Sequence, residues 1–321
     1  MSTEFYIPNN ILVTGGCGFI GSNFINYYKK KYNNIKIYNL DKIDYCSNKL
    51  DIDHDELFIG NLNNKEFITH ILNLYNIDTI IHFAAQTHVD NSFGNSISFT
   101  KDNILGTHNL LECCREYNKI KRFIHMSTDE VYGEVDINNE GCIEKSILNP
   151  TNPYAATKAG TELIIKSYYY SFQFPIIIMR CNNVYGPRQY PEKLIPKFIN
   201  SLLNNKKCTI HGEGNSRRNF IYIDDVSSAI DIIIKLGIIN NIYNIGTKNE
   251  YSVLEIANKL INILKPNEDI NNWIEYIDDR LFNDFRYAIN NEKIINLGWK
   301  EENNFDELLL KTIEYYKFKQ V

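Results

Sequence analysis

Thr14-Gly15-Gly16-Cys17-Gly18-Phe19-Ile20-Gly21 follows the short apolar run Ile11-Leu12-Val13 and opens a stretch of helical spacing from Gly18 to Tyr32. Strand, glycine-rich turn and helix in that order begin a βαβ unit. Gly15 permits the tight turn, Gly18 lets the backbone approach a pyrophosphate, and Gly21 lets helix and strand pack closely. Free amides at the helix start, around Phe19 and Ile20, then face the phosphates. A glycine triplet by itself also serves ordinary tight turns. Here the next apolar run, Lys36-Ile37-Tyr38-Asn39-Leu40, ends at Asp41, about twenty residues after the last glycine. A carboxylate at that place grips ribose hydroxyls and repels a ribose phosphate. The reading is NAD over NADP, with Lys42 next to Asp41 as the one opposing charge.

Working outward, strand-like and helix-like runs alternate through the first half. Leu57-Phe58-Ile59, Thr79-Ile80-Ile81-His82-Phe83, Arg122-Phe123-Ile124-His125-Met126 and Ile176-Ile177-Ile178-Met179 read as strands. Ile104 to Glu116 and Pro153 to Phe172 read as helices. That alternation predicts an α/β fold with a doubly wound parallel sheet of Rossmann type. The second half is less regular: helices near Leu194–Leu203, Asp224–Leu236 and Val253–Leu264, one strand at Asn241–Ile245, and loops marked by Pro187, Pro191, Pro196, Gly212 and Gly214. It predicts a smaller, mixed α/β lobe packed tightly on the sheet.

Two constellations carry chemistry. The strand before Met126 opens onto Ser127-Thr128-Asp129-Glu130-Val131-Tyr132-Gly133. Two neighbouring acids at a strand end can split roles, one giving a proton and the other taking one. Alternatively, Asp129 and Glu130 simply start a helix, where acids favour the positive end of the dipole. The second constellation is Asn152-Pro153-Tyr154-Ala155-Ala156-Thr157-Lys158. Asn152 caps a helix, Pro153 fits its first position, and Tyr154 and Lys158 lie four apart on one face. An ammonium near a phenol favours tyrosinate and lowers its pKa, giving a base for a hydroxyl proton. Among 22 tyrosines a surface Tyr-Lys pair is the plain alternative. His82, on a strand, reads as a satisfied core histidine.

The glycine loop, Ser127-Thr128 and Tyr154-x-x-x-Lys158 together resemble the extended short-chain dehydrogenase/reductase family, and Thr128-Asp129-Glu130 resembles its nucleotide-sugar 4,6-dehydratases. Relatives that epimerise or decarboxylate usually carry small hydroxyl residues in place of the acids. The resemblance continues through Phe83–Ser96, Asn182–Pro187, Pro191–Pro196 and Tyr243–Gly246. Gln86 and Asn91-Ser92-Phe93 look most like the UDP-glucose 4,6-dehydratase of rhamnose synthesis; bacterial dTDP-glucose enzymes typically have Glu-Ser-His in that loop. The resemblance implies catalytic roles for Thr128, Asp129, Glu130, Tyr154 and Lys158. It implies an NAD site at Gly15, Gly18, Phe19, Ile20, Gly21, Asp41, Lys42, Asn61, Leu62, Ala84 and Ala85, with Tyr154 and Lys158. For the sugar nucleotide it implies Gln86, Thr87, His88, Asn183, Glu192, Lys193, Leu194, Arg218 and Arg286, and Cys208–Gly212 near the uracil. It divides the chain into a NAD-binding domain, 1–182 with 221–246, and a UDP-sugar-binding lobe, 183–220 and 247–321. A homodimer through Asn103–Glu116 and Tyr154–Phe172 is implied as well. Plant rhamnose synthases fuse an epimerase-reductase portion, so a separate protein is expected to finish the sugar. Asn61 stands where relatives often have Asp, Thr209 where they have Pro, and Leu281 follows Arg280 where Arg-Pro is usual.

Composition narrows the class. The 321 residues suit one large α/β unit or two joined lobes. A net charge of -5 with scattered Lys and Arg gives no nucleic-acid footprint. Met1 to Asn10 lacks the pattern of a signal peptide, and no apolar run approaches a membrane span. The seven cysteines contain no Cys-x-x-Cys pair, which fits a reduced, cytoplasmic setting with no disulfide frame and no metal site. The rival readings are a dTDP-glucose 4,6-dehydratase, a NAD-dependent epimerase or decarboxylase of the same fold, and a non-catalytic NAD-sensing protein. The paired acids oppose the epimerase, and the intact Tyr-Lys and acid pairs oppose the sensor.

Overall fold

The computed structural model describes residues 5–278, 284–302 and 304–319. Arg280 and Leu281 lie outside them. The central sheet is built from β1 (Asn10–Thr14), β2 (Lys36–Asp41), β3 (Glu56–Ile59), β4 (Thr79–His82), β5 (Arg122–Thr128), β6 (Ile176–Cys181) and, much later in the chain, β10 (Asn241–Ile245). Its order is β10-β6-β5-β4-β1-β2-β3, and every pairing is parallel. β4 and β5 are buried at every residue, because helices cover both faces. One face holds α2 (Lys65–Leu74), α5 (Gly106–Tyr117) and α6 (Pro153–Phe172); the other holds α1 (Phe19–Lys31) and α8 (Ile223–Leu236). Between β4 and α5 run α3 (Val89–Gly94), α4 (Ser96–Phe99) and a π-helical turn, Thr100–Leu105. After β1 the chain builds β2 and β3 on one side and then crosses to β4 on the other. The crevice above β1 is therefore a topological switch point, where open α/β sheets bind ligands.

The second lobe is more elaborate than its sequence suggests. β7 (Asn183–Tyr185), β9 (Arg217–Tyr222) and β11 (Glu250–Ser252) form a mixed sheet in the order β11-β9-β7, and β8 (Cys208–His211) pairs with β12 (Ile274–Ile277). Around them lie α7 (Leu194–Leu203), α9 (Val253–Leu264), α10 (Glu292–Asn296) and α11 (Phe305–Lys319). Pro196, read as a loop marker, sits in the first turn of α7, where no intrahelical partner is lost. Four of these strands have only three or four residues, too few for alternation to show. Among the described residues no helix is long and apolar enough to cross a membrane. All seven cysteines are free, and no group of three or more His, Cys, Asp or Glu among the described residues is placed to hold a metal ion.

Candidate active site

A cleft of about 480 Å³ follows the carboxyl ends of β1, β2, β3, β4, β5 and β6 and is walled opposite by the second lobe. Its floor is the glycine loop. Gly15 has φ +73°, and a Cβ there would lie 2.6 Å from the Ala84 backbone nitrogen, so loop and β4 exit touch backbone to backbone. A Cβ on Gly21 would lie 2.4 Å from the Gly15 carbonyl oxygen. Gly18 differs: a Cβ there would meet only the Gly15 oxygen, at 3.2 Å, and no side chain caps α1 at this residue. Uncapped first-turn amides beside an open glycine backbone suit a pyrophosphate. The Asp41 carboxylate closes the loop, accepting from the amides of Cys17 (2.9 Å) and Ile43 (2.8 Å) and the Ser47 hydroxyl (3.2 Å). Lys42 is taken by two carboxylates, Asp44 and Asp102, so its charge is matched locally. Phe19, Ile20, Asn61, Leu62, Ala84 and Ala85 line the same cleft. These residues fit NAD: amides for the diphosphate, an acid for the ribose, and a matched Lys42.

Thr128 ends β5 in extended geometry, and its hydroxyl caps the 3-10 turn Asp129–Tyr132, accepting from the Glu130 amide at 3.3 Å. The acids do start a helical turn; Glu130 lines the cleft, whereas Asp129 is buried next to it and is not among the lining residues. Asp129 accepts from Asn182 Nδ2 at 2.7 Å and from Thr128 Oγ1 at 3.2 Å. Glu130 accepts from Asn152 Nδ2 at 2.9 Å. Burial, and then the charge of Glu130, push Asp129 up to about 7. Burial also raises Glu130, against the hydrogen bond from Asn152 and the charges of Arg218 and Lys193. The two acids therefore differ in partners, and Asp129 holds a proton to higher pH than an ordinary carboxyl.

The Tyr154–Lys158 pair corrects one expectation. Burial and then Glu130 push the Tyr154 phenol far above its ordinary range, with a hydrogen bond to Thr128 acting the other way. Lys158 does not offset this, because its ammonium is turned to the Met126 carbonyl (2.5 Å) and His125 Nε2 (3.3 Å). Burial brings Lys158 itself down to about 8. His82 sits as read: fully buried between the hydroxyls of Thr14 (2.6 Å) and Thr107 (2.8 Å), with burial pushing it down to about 3.

Toward the second lobe the cleft is lined by Gln86, Thr87, His88, Asn183, Glu192, Lys193, Leu194 and Arg218, with Thr209 and His211 beyond. Lys193 donates to the Thr87 carbonyl at 3.0 Å, joining the lobes. Burial lowers its pKa. The Arg218 guanidinium lies 4.5 Å from the Tyr287 ring centre. Gln86 lines the cleft, and its side-chain amide donates to Asp44 and Asp102. Arg286 departs from expectation. It does not line the cleft; its donors go to Glu250 (2.9 Å) and to the carbonyls of Asp136 (2.8 Å) and Asn139 (2.9 Å). Asp284 and Tyr287, near it in sequence, do line the cleft and were missed. Asn152, a helix cap by sequence, and Asn182, on the segment after β6, also hold the two acids. Asn152 does two tasks, capping Ala155 N at 2.8 Å with its oxygen while its nitrogen holds Glu130.

A sequence profile described as GDP-mannose 4,6 dehydratase matches residues 12–312. A Dictyostelium discoideum protein named dTDP-D-glucose 4,6-dehydratase is 50% identical, over 96% of this chain and 81% of its own length. An Arabidopsis thaliana protein, named as a trifunctional UDP-glucose 4,6-dehydratase, 3,5-epimerase and 4-keto-L-rhamnose reductase, is 47% identical over 97% of this chain. The match spans only 48% of that longer protein. Among solved structures, a dTDP-glucose 4,6-dehydratase from Streptomyces venezuelae with NAD bound superposes with a TM-score of 0.91 at 34% identity, covering 97% of this chain and 98% of its own. The chain belongs to the nucleotide-sugar 4,6-dehydratases, NAD-dependent hydro-lyases of the extended short-chain dehydrogenase/reductase family.

Proposed function

We propose that this chain converts UDP-glucose to UDP-4-keto-6-deoxyglucose and water, for UDP-rhamnose synthesis. The observation that carries the reading is one turn at the cleft holding two carboxyls with different partners: Glu130, which lines the cleft with Tyr154 and is held by Asn152, and Asp129, buried next to it and held by Asn182. Bound NAD supplies an acceptor for the C4 hydride and later returns it to C6. Tyr154, hydrogen-bonded to Thr128, takes the C4 hydroxyl proton in its tyrosinate form, its own phenol proton having left to solvent before the sugar binds. The resulting ketone acidifies the C5 hydrogen, which Glu130 removes. Asp129 delivers its proton to the C6 hydroxyl, which departs as water, and a proton then returns to C5. Asn183, Glu192, Lys193, Leu194 and Arg218, with His88 and Thr87, hold the sugar nucleotide, and residues 183–220 and 247–321 form its lobe. Lys158 holds the exit of β5 through the Met126 carbonyl, two residues before Thr128.

The choice of UDP rests on Gln86 and Asn91-Ser92-Phe93 and on the 47% identity to the Arabidopsis protein. A second reading, dTDP-glucose, is favoured by the 50% identity to the Dictyostelium protein. Leu163, Tyr170 and Phe172 on α6 are exposed, which supports a homodimer through that helix and α5. A separate epimerase and reductase would act on the product. The test is to incubate purified protein with each sugar nucleotide and follow the alkaline absorbance of a 4-keto sugar. A signal with UDP-glucose is expected, a signal only with dTDP-glucose selects the second reading, and none with either removes the dehydratase assignment.

A further inference from the structure

Four polar side chains from three chain segments close a ring at the rim of the cleft. Lys42 Nζ lies 2.8 Å from Asp44 Oδ2 and 2.7 Å from Asp102 Oδ2. Gln86 Nε2 donates to the same two oxygens, at 2.9 Å each. An ammonium and an amide thus bridge one pair of carboxylates. All four residues line the cleft.

Topology makes this position informative. β1 lies between β2 and β4 in the sheet, and the glycine loop leaves its carboxyl end. Lys42 and Asp44 sit on the segment leaving β2, and Gln86 on the segment leaving β4. The ring therefore joins the exits of the two strands that flank β1, at the switch-point crevice. Asp102, from the π-helical turn, completes it, and its neighbour Asn103 fixes the Gln86 backbone through Gln86 N to Asn103 Oδ1 (2.7 Å) and Asn103 Nδ2 to Gln86 O (3.1 Å). A dinucleotide with its diphosphate on the Gly15–Gly21 loop and its ribose at Asp41 would share the cleft that these four residues line.

The charges suit a closure that opens. Side-chain exposures of 36% for Lys42, 32% for Asp44 and 20% for Asp102 leave the ring within reach of salt. Burial pulls the Lys42 ammonium down, but its hydrogen bonds to Asp102 and Asp44 outweigh that and hold it above its ordinary range. Gln86 is the residue type the ring needs, because a carboxylate there would face two others and lose both donated hydrogen bonds.

We propose that Lys42, Asp44, Gln86 and Asp102 form an electrostatic latch that slows the release of NAD. The chemistry gives the latch a purpose: the hydride taken from C4 must be returned by the same cofactor molecule, so escape between the two transfers would strand a half-reacted sugar. This purpose rests on the proposed dehydration, whereas the latch itself is tested without any sugar.

The test loads the purified full chain with NAD and measures the NAD released after rapid dilution, at low and high salt. The wild type is compared with Gln86→Glu, Asp102→Ala and the shape-conserving double variant Asp44→Asn/Asp102→Asn. Losing the ring removes two exposed ion pairs and is expected to speed release about two- to thirtyfold at low salt. Added salt is expected to speed release from the wild type and to have little effect on the double variant. Thermal unfolding of each variant without NAD separates a latch from a folding defect: unchanged midpoints with faster release support it. Release rates and salt dependence equal to wild type in all three variants overturn it. A wild type that retains NAD but dehydrates no sugar overturns the proposed substrate reaction and leaves the latch standing.

Discussion

Asp129→Asn is the most exacting single change for the proposed chemistry. The amide keeps the size of the carboxyl and can still accept from Asn182 Nδ2, now 2.7 Å from Asp129 Oδ2, but it has no proton to give. Moving the group from its ordinary 3.8 to about 7 corresponds to about 4 kcal/mol against the ionised form. The sign follows from linkage. The folded state binds this proton more tightly than the unfolded chain, so the stability tied to it is complete below 3.8 and is lost as pH rises through about 7. The uncharged amide mimics the protonated carboxyl at every pH. Denaturant unfolding of both proteins from about pH 3 to about pH 9 is therefore expected to show the variant gaining on the wild type by roughly 4 kcal/mol in all, about 3 kcal/mol of it above pH 5. Any slope left in the variant belongs to Glu130 and other groups, since the two acids titrate as a pair. Meanwhile dehydration at neutral pH is expected to fall by roughly a hundred- to ten-thousand-fold, the range for loss of a general acid. Parallel stability curves, together with dehydration within about tenfold of wild type, would refute a proton stored on Asp129.

Tyr154→Phe is expected to stop C4 oxidation as well as water loss, by about a hundredfold or more in single-turnover sugar oxidation, because the C4 proton loses its acceptor. The buried Arg180–Glu162 pair (2.5 Å) lies on β6 and α6, with Arg180 Nη1 also donating to the Tyr132 hydroxyl at 2.7 Å. Glu162→Leu alone is expected to cost about 3–5 kcal/mol in chemical unfolding, and Glu162→Leu with Arg180→Met to recover most of it, since an orphaned buried charge is the expensive state. The two loop glycines should separate. Gly15→Ala forces a Cβ to 2.6 Å from Ala84 N at positive φ and is expected to lower the unfolding midpoint sharply. Gly18→Ala is expected to fold and lose NAD affinity instead, read by dye-free NAD titration.

The first half of the fold was legible because each of its strands is a short apolar run followed by a turn or helix signal, and because burial on both faces of the sheet demands such runs. The dinucleotide loop was legible for a related reason: backbone contact at Gly15 and Gly21 leaves no room for another residue. The second lobe was not, since strands such as Asn183–Tyr185 and Glu250–Ser252 are defined by partners far away in sequence rather than by their own pattern. At the cleft, residue types singled out Thr128, Glu130 and Tyr154, which line it, while side-chain direction escaped them. Lys158 shares a helix face with Tyr154 yet points to Met126 O, and Arg286 spends its donors on Glu250 and two carbonyls. Asp44 and Asp102 carried no local signal, because the ring they form is a product of topology.

The central claim is that one cofactor molecule keeps the hydride taken from C4 through the loss of water and then returns it to C6. UDP-glucose bearing deuterium at C4, incubated with the purified protein and analysed by mass spectrometry and NMR of the product, tests it directly. The account predicts a 4-keto-6-deoxy sugar with the deuterium retained in the C6 methyl group and one solvent hydrogen at C5. A product that keeps deuterium at C4, or a 4-keto-6-deoxy sugar whose C6 methyl carries none, would contradict it.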